Sequence, residues 1–169
     1  MNTMQCKSLA ATLASTAIAA ALAFGVATGP AQAQTHAHDA ATPAKLSLDH
    51  GKKWTTDGAL RAGMSRIRTL VEPQLGAAHA SQLSPAQYAA LAGQVETEVG
   101  GIVANCKLEP QADAMLHLLI GEIGAGADAI AGKTPARTTQ DGLIQVAAAV
   151  NDYARHFNHP GFKPIRIAH

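Results

Sequence analysis

The sequence predicts an all-α fold, an antiparallel up-down-up-down four-helix bundle, and three observations carry that reading. Four stretches place apolar residues at spacings of three and four, the period of a helix with one buried face. Each stretch is bounded by residues that start or stop helices, and short loops join them. No stretch alternates apolar and polar residues with a period of two, so no sheet is expected.

The first helix begins after Thr56 or Asp57, either of which can cap the free amides of a first turn. Its stripe is Leu60, Met64, Ile67, Val71 and Leu75, and Pro73 kinks the helix or ends it. The second has Ser84 as cap, Pro85 at the first helical position and Gln87 to close a capping box. Tyr88, Leu91, Val95, Val99, Ile102 and Cys106 form its stripe. The third opens at Pro110, aligns Met115, Leu119, Ile123 and Ile130, and stops at Gly132. The fourth opens near Thr138 or Thr139, aligns Leu143, Val146, Val150, Tyr153 and Phe157, and ends before Pro160. Gly100, Gly101, Gly121, Gly124 and Gly126 lie inside the second and third helices. Each costs about 1 kcal/mol relative to Ala in a helix interior, so they are expected to let those two backbones approach closely.

The segments before the first helix are of a different kind. Residues 1–33 read as a secretory signal peptide: Lys7, an uncharged run from Leu9 to Val26, the breaker Gly29-Pro30, then Ala31-Gln32-Ala33 as the cleavage site. Cys6 precedes the apolar run, so lipidation is not expected. Residues 34–45 read as a flexible, histidine-containing tail, and residues 46–169 as the bundle domain, opening with a connecting segment from Leu46 to Trp54. These features point to a periplasmic protein with no membrane association after cleavage.

Composition narrows the function. Lys7 leaves with the signal, so basic and acidic residues become equal in number, and no basic patch invites nucleic acid. Only Cys106 remains of the 2 cysteines, which rules out an intramolecular disulfide, while all 8 histidines remain. Aromatics make up 4% of the chain, so the core must be built from Ala, Leu, Ile, Val and Met. There is no Cys-x-x-Cys-His, glycine-rich phosphate loop, His-Glu-x-x-His or Gly-x-Ser-x-Gly, and no enzymatic activity is expected. Glu96, Glu98 and Glu122 fall off the apolar stripes and read as solvated.

Antiparallel neighbours would gather donors distant in sequence. One end of the bundle collects Met64, Cys106, Met115, His117, His156 and His159, whereas the other offers His79. Thioether, thiolate and imidazole suit copper(I). The expected primary metal site is Met64, Cys106, His117 and His156. The same residues also have plain structural readings: Met64 and Cys106 as apolar filling, His117 as solvated, His156 as a cap on the carbonyl end of its helix. An auxiliary site is expected in the tail at His36 and His38. Cleavage after Ala33 would begin the chain Gln34-Thr35-His36, where the free amine, two amides and imidazole make a square-planar set for copper(II) or nickel(II).

Two resemblances bear on these expectations. Leu60-x-x-x-Met64, Leu118-Leu119-Ile120-Gly121-Glu122-Ile123 and Asn151-Asp152-Tyr153 with His156 resemble the small periplasmic four-helix b-type cytochromes. That resemblance implies haem b held between Met64 and His156, with electron transfer as the function. In that family the histidine directly follows the tyrosine; here Ala154 and Arg155 intervene. The strings Leu48-Asp49-His50-Gly51-Lys52-Lys53-Trp54, Asn105-Cys106-Lys107-Leu108-Glu109-Pro110 and His159-Pro160-Gly161-Phe162 are similar to an exported bacterial family labelled DnrO protein, which implies no particular activity. The sequence thus points first to a non-catalytic, copper-type metal-binding bundle. A haem b electron carrier and a cofactor-free structural or partner-binding bundle are its rivals.

Overall fold

The computed structural model describes residues 45–167, all within the unit Ala40–His169. The expected signal peptide and tail, including His36 and His38, lie outside the described residues. The described chain is a helical bundle without strands, made of α1 (Gly58–Val71), α2 (Gln74–His79), α3 (Pro85–Asn105), α4 (Pro110–Ile130) and α5 (Thr139–His156). No described helix is long and apolar enough to cross a membrane.

The helix ends follow from their residues. Asp57 caps α1, its side chain accepting from the amide of Leu60 at 2.7 Å. Pro73 ends the first helix rather than bending it: α1 stops at Val71 and the single turn of α2 starts after the proline. Ser84, Pro85 and Gln87 form the expected capping box. Thr138 and Asp141 form a second one, which the sequence reading did not anticipate. At the end of α4 the amide of Gly132 bonds Ala129 and that of Lys133 bonds Asp128, with Gly132 at φ +72°. This is the paired closure that favours glycine just past a helix.

α4 and α5 share the most extensive contact, followed by α1 with α3, α3 with α4, and α1 with α5. The core between them contains Leu60, Met64, Ile67 and Val71 from α1, Tyr88, Leu91, Val95 and Ile102 from α3, and Leu116, Leu119, Ile123 and Ile130 from α4. Leu143, Val146, Val150 and Tyr153 complete it from α5. On α4 the inward position belongs to Leu116; Met115, placed on the stripe by the sequence, is half-buried and packs at its edge. Cys106 likewise leaves the stripe. It is the residue after α3, with extended backbone, because its amide makes the last bond to Ile102 and the chain turns there towards α4.

The glycines require a larger correction. A Cβ added to Gly100, Gly101, Gly121 or Gly124 would meet nothing within 4 Å, so these four serve no close approach between α3 and α4. The close approaches lie elsewhere. A Cβ on Gly142 would sit 2.6 Å from the carbonyl oxygen of Gly126 and from the amide nitrogen of Ile130, and one on Gly126 3.0 Å from the carbonyl oxygen of Gly142. Gly126 and Gly142 therefore let α4 and α5 touch backbone to backbone. Gly63 leaves room on α1 for the side chain of Ile102 on α3.

Two extended segments complete the unit. Asp49 to Lys52 is a tight turn with His50 and Gly51 at positive φ, after which Trp54 pairs with the chain leaving α5. The Trp54 amide donates to His156 at 2.8 Å and the Asn158 amide donates to the Trp54 carbonyl at 2.8 Å. Residues 158–167 then return over the bundle. The Asn151 side chain donates to the carbonyl of Ile165 at 3.0 Å and accepts from its amide at 2.6 Å, burying Ile165 against the core.

These glycine environments have opposite consequences. Gly142→Ala is expected to lower stability by about 1–3 kcal/mol, because backbone atoms rather than flexible side chains must give way. Gly121→Ala, in open space, is expected to raise it by about 0.5–1 kcal/mol. Urea denaturation midpoints at unchanged slope provide the measurement.

Candidate functional site

A polar constellation gathers where α1 begins, α3 ends and α5 ends. It is organised by Asp57. Its carboxylate accepts from the amide of Leu60 at 2.7 Å inside α1, and from the amide of Lys107 at 2.6 Å just past α3. The thiol of Cys106 lies in its neighbourhood. Burial alone would raise its pKa. The two amides, the thiol and the nearby Arg61 charge outweigh that effect and hold the carboxyl below its ordinary range.

The same contact sets the state of Cys106. Burial comes first, followed by the charge and hydrogen bond of Asp57 and the charge of Asp113, and together they push the thiol up to about 11. Cys106 is therefore a neutral thiol at physiological pH, a weak nucleophile that must lose a proton before it can ligate a metal.

Tyr153 extends the cluster from the last turns of α5. Its ring is fully buried, stacked on Phe157 at 5.3 Å and met edge-on by Phe162 at 5.1 Å. Burial pushes the phenol pKa up, so the hydroxyl keeps its proton and must find an acceptor. It is hydrogen-bonded to Nδ1 of His159 at 3.0 Å. Burial, and then the positive charge of Arg61, lower the His159 pKa, which favours the neutral imidazole. The turn Pro160-Gly161, with Gly161 at φ +79°, folds Phe162 back to lie 4.7 Å from the His159 ring.

The residues expected to ligate metal stand as follows. Met64 is 0% exposed, in the middle of the α1 core face. Cys106 is half-buried, with the Asp57 carboxylate nearby. His117 is exposed; its Nδ1 lies 2.9 Å from the carbonyl of Asp113 and 3.3 Å from that residue's carboxylate. His156 is half-buried, with Nδ1 2.8 Å from the carbonyl of Asp152 in the last turn of α5. Each histidine thus spends one ring nitrogen on its own helix. Cys106 and His117 share a neighbourhood through Asp113, whose charge reaches the thiol. Among the described residues no group of three or more His, Cys, Asp and Glu side chains could hold a metal ion. Glu96, Glu98 and Glu122 pair at the surface with Lys133, Arg66 and Gln145.

Four surface clefts open on the described residues, and none of the four has Met64, Cys106, His117 or His156 on its wall. One of them, about 410 Å³, is walled by Thr55, Thr56, Arg61, Asn158, His159 and Pro160. Sequence reading placed His159 at this end but missed Arg61 and Asp57 as members of a site. One signal was available: Tyr153 closes the apolar stripe of its helix, and a buried phenol needs a polar partner nearby. No family model matches the chain, and neither a curated protein nor a solved structure matches it.

The Asp57 contacts have a measurable pH signature. A carboxyl held below its ordinary range contributes stability above that range and loses it as pH falls through the folded-state value. Asp57→Asn is expected to flatten this part of the acid-side loss, seen as urea midpoints taken from about pH 7 to about pH 3. The same substitution is expected to speed alkylation of Cys106 by iodoacetamide at pH about 8, where the native thiol reacts slowly.

Proposed function

We propose that this chain is an exported, non-catalytic binding bundle that acts through its surface, with an interior closed to cofactors. The core carries this reading. Its buried members are apolar, Met64 among them, and no buried side-chain nitrogen or oxygen among the described residues lacks a hydrogen-bond partner. A buried cofactor site needs donors turned towards a space, whereas a fully buried methionine within an apolar core cluster is packing. The clefts lie on the outside, which supports recognition at the surface. Export, with cleavage after about Ala33, is part of the same proposal and rests on the leader-like first 33 residues.

The topology that accompanies this reading is up-down-up-down for the four long helices. Three contacts support it. Gly63 near the start of α1 meets Ile102 near the end of α3. Trp54 before α1 pairs with Phe157 after α5. Gly126 near the end of α4 meets Gly142 near the start of α5.

A copper-type metal-binding role is a second reading, and one observation favours it. Cys106 and His117 share a pole through Asp113, and the expected tail ligands His36 and His38 belong to the same chain. The two readings separate on protein purified from its own compartment. The first expects an absorption spectrum without a Soret band and no stoichiometric metal. It also expects Met64→Leu, which nearly conserves volume, to cost less than about 1.5 kcal/mol. The second expects bound copper that is lost in Cys106→Ser and His117→Ala. Stoichiometric copper, or a Soret band lost on Met64→Leu, would overturn the first.

A further inference from the structure

The cleft beside His159 contains a guanidinium that has no carboxylate within ion-pair distance among the described residues. Arg61 is half-buried on α1, and its Nη1 donates to the carbonyl of Thr56 at 2.7 Å and to the Thr56 hydroxyl at 3.0 Å. That hydroxyl in turn donates to the carbonyl of Asn158 at 2.6 Å. The guanidinium is thereby fixed to the cleft wall by a chain of bonds running from α1 to the segment after α5. Arg66, Arg68, Arg155 and Lys133 each pair with a carboxylate. Arg61 makes no such pair among the described residues. Asp57, whose carboxyl feels the Arg61 charge, lies outside ion-pair distance with its oxygens committed to the amides of Leu60 and Lys107. A fixed charge half-removed from water and left unpaired costs free energy that a bound anion can recover.

We propose that the cleft of Thr55, Thr56, Arg61, Asn158, His159 and Pro160 binds the oxyanion group of a small ligand, a phosphate or a carboxylate. Arg61 presents its remaining N–H groups as the charged donor, a geometry suited to either anion. His159, with Nδ1 engaged by the Tyr153 hydroxyl, lines the same cleft and leaves Nε2 as a second polar group for the ligand. The threonine hydroxyls at 55 and 56 add neutral polar atoms. The cleft volume of about 410 Å³ exceeds what an inorganic ion fills, leaving room for the body of an ester or a short peptide end. The charges facing His159 are Arg61 on α1 and, across the neighbouring cleft that His159 also lines, Arg68 and Lys163. All are positive; among the described residues Arg68 pairs with Glu72, and the Arg61 charge acts on Asp57 without an ion pair.

This assignment deepens the surface-binding reading and rests on it. Metal analysis and spectra test the closed interior, whereas the cleft is tested by titrating the whole chain with inorganic phosphate and, separately, with acetate. Sodium chloride at equal ionic strength is the control. The His159 ring protons are followed by NMR as a function of pH. Saturable phosphate binding is expected to move the His159 titration to higher pH, because an anion beside the ring favours its protonated form. Arg61→Gln is expected to weaken that binding about tenfold or more, with Arg61→Lys falling between. A response to acetate stronger than to phosphate would assign the carboxylate source, and the reverse the phosphate source. No saturable response to either anion, an equal response to chloride, or a response unchanged in both Arg61 variants would overturn the proposal. Should Arg61→Gln fail to fold, the Arg61→Lys comparison decides alone.

Discussion

One carboxylate joins segments that are fifty residues apart. Asp57 accepts the Leu60 amide that opens α1 and the Lys107 amide that follows α3, so a single side chain satisfies orphan donors of two segments. A cap that served α1 alone would be a local device worth about 1 kcal/mol. Shared with Lys107, it also sets where the end of α3 sits against the start of α1. The neighbouring chemistry follows from that position. Cys106 sits beside the carboxylate, which helps keep the thiol protonated, and Arg61 lies one turn further along α1 with its charge acting on the same carboxyl.

Where Asp57 closes one side, the glycines Gly126 and Gly142 close the other. Their backbones touch, which accounts for the extent of the α4–α5 contact in a chain with few large side chains. With aromatics at 4% of the residues, little bulk is available to fill a wide interhelical space. The bundle therefore brings backbones together where it can and concentrates its rings at one pole, where Tyr153, Phe157, His159 and Phe162 stack around the last turns of α5. Large rings there take the place of the helix-to-helix packing that Ala and Gly cannot provide.

The parts of this structure legible in the sequence were those written in local patterns. Ser84-Pro85-Gln87, Pro110, Gly132 and the stripe from Leu60 to Val71 each announce a helix end or face within a few residues, and the structure follows them. The parts that were not legible depend on which helix meets which. Gly121 and Gly142 are equivalent as letters in a helix, yet one faces open space and the other a carbonyl oxygen. Cys106 continues the spacing of its stripe but falls one residue beyond the last turn, where periodicity no longer applies. The candidate site suffered most, because Asp57, Arg61 and Tyr153 have ordinary local roles as cap, surface residue and core ring. Their joint position comes from tertiary contacts spanning up to about a hundred residues.

The pairing of Trp54 with Phe157 has a consequence for how the domain is made. The start of α1 finds its neighbour in the stretch that leaves α5, with Thr56 donating to Asn158 across a separation of 102 positions. Synthesis runs from one to the other, so the earliest helix of the unit waits for the latest before its lower edge is closed. Contacts this distant yield their free energy after the chain between them has been ordered, which favours a late and concerted closure over stepwise accretion. A nascent chain that has emerged only as far as His156 would carry every long helix and still lack the latch.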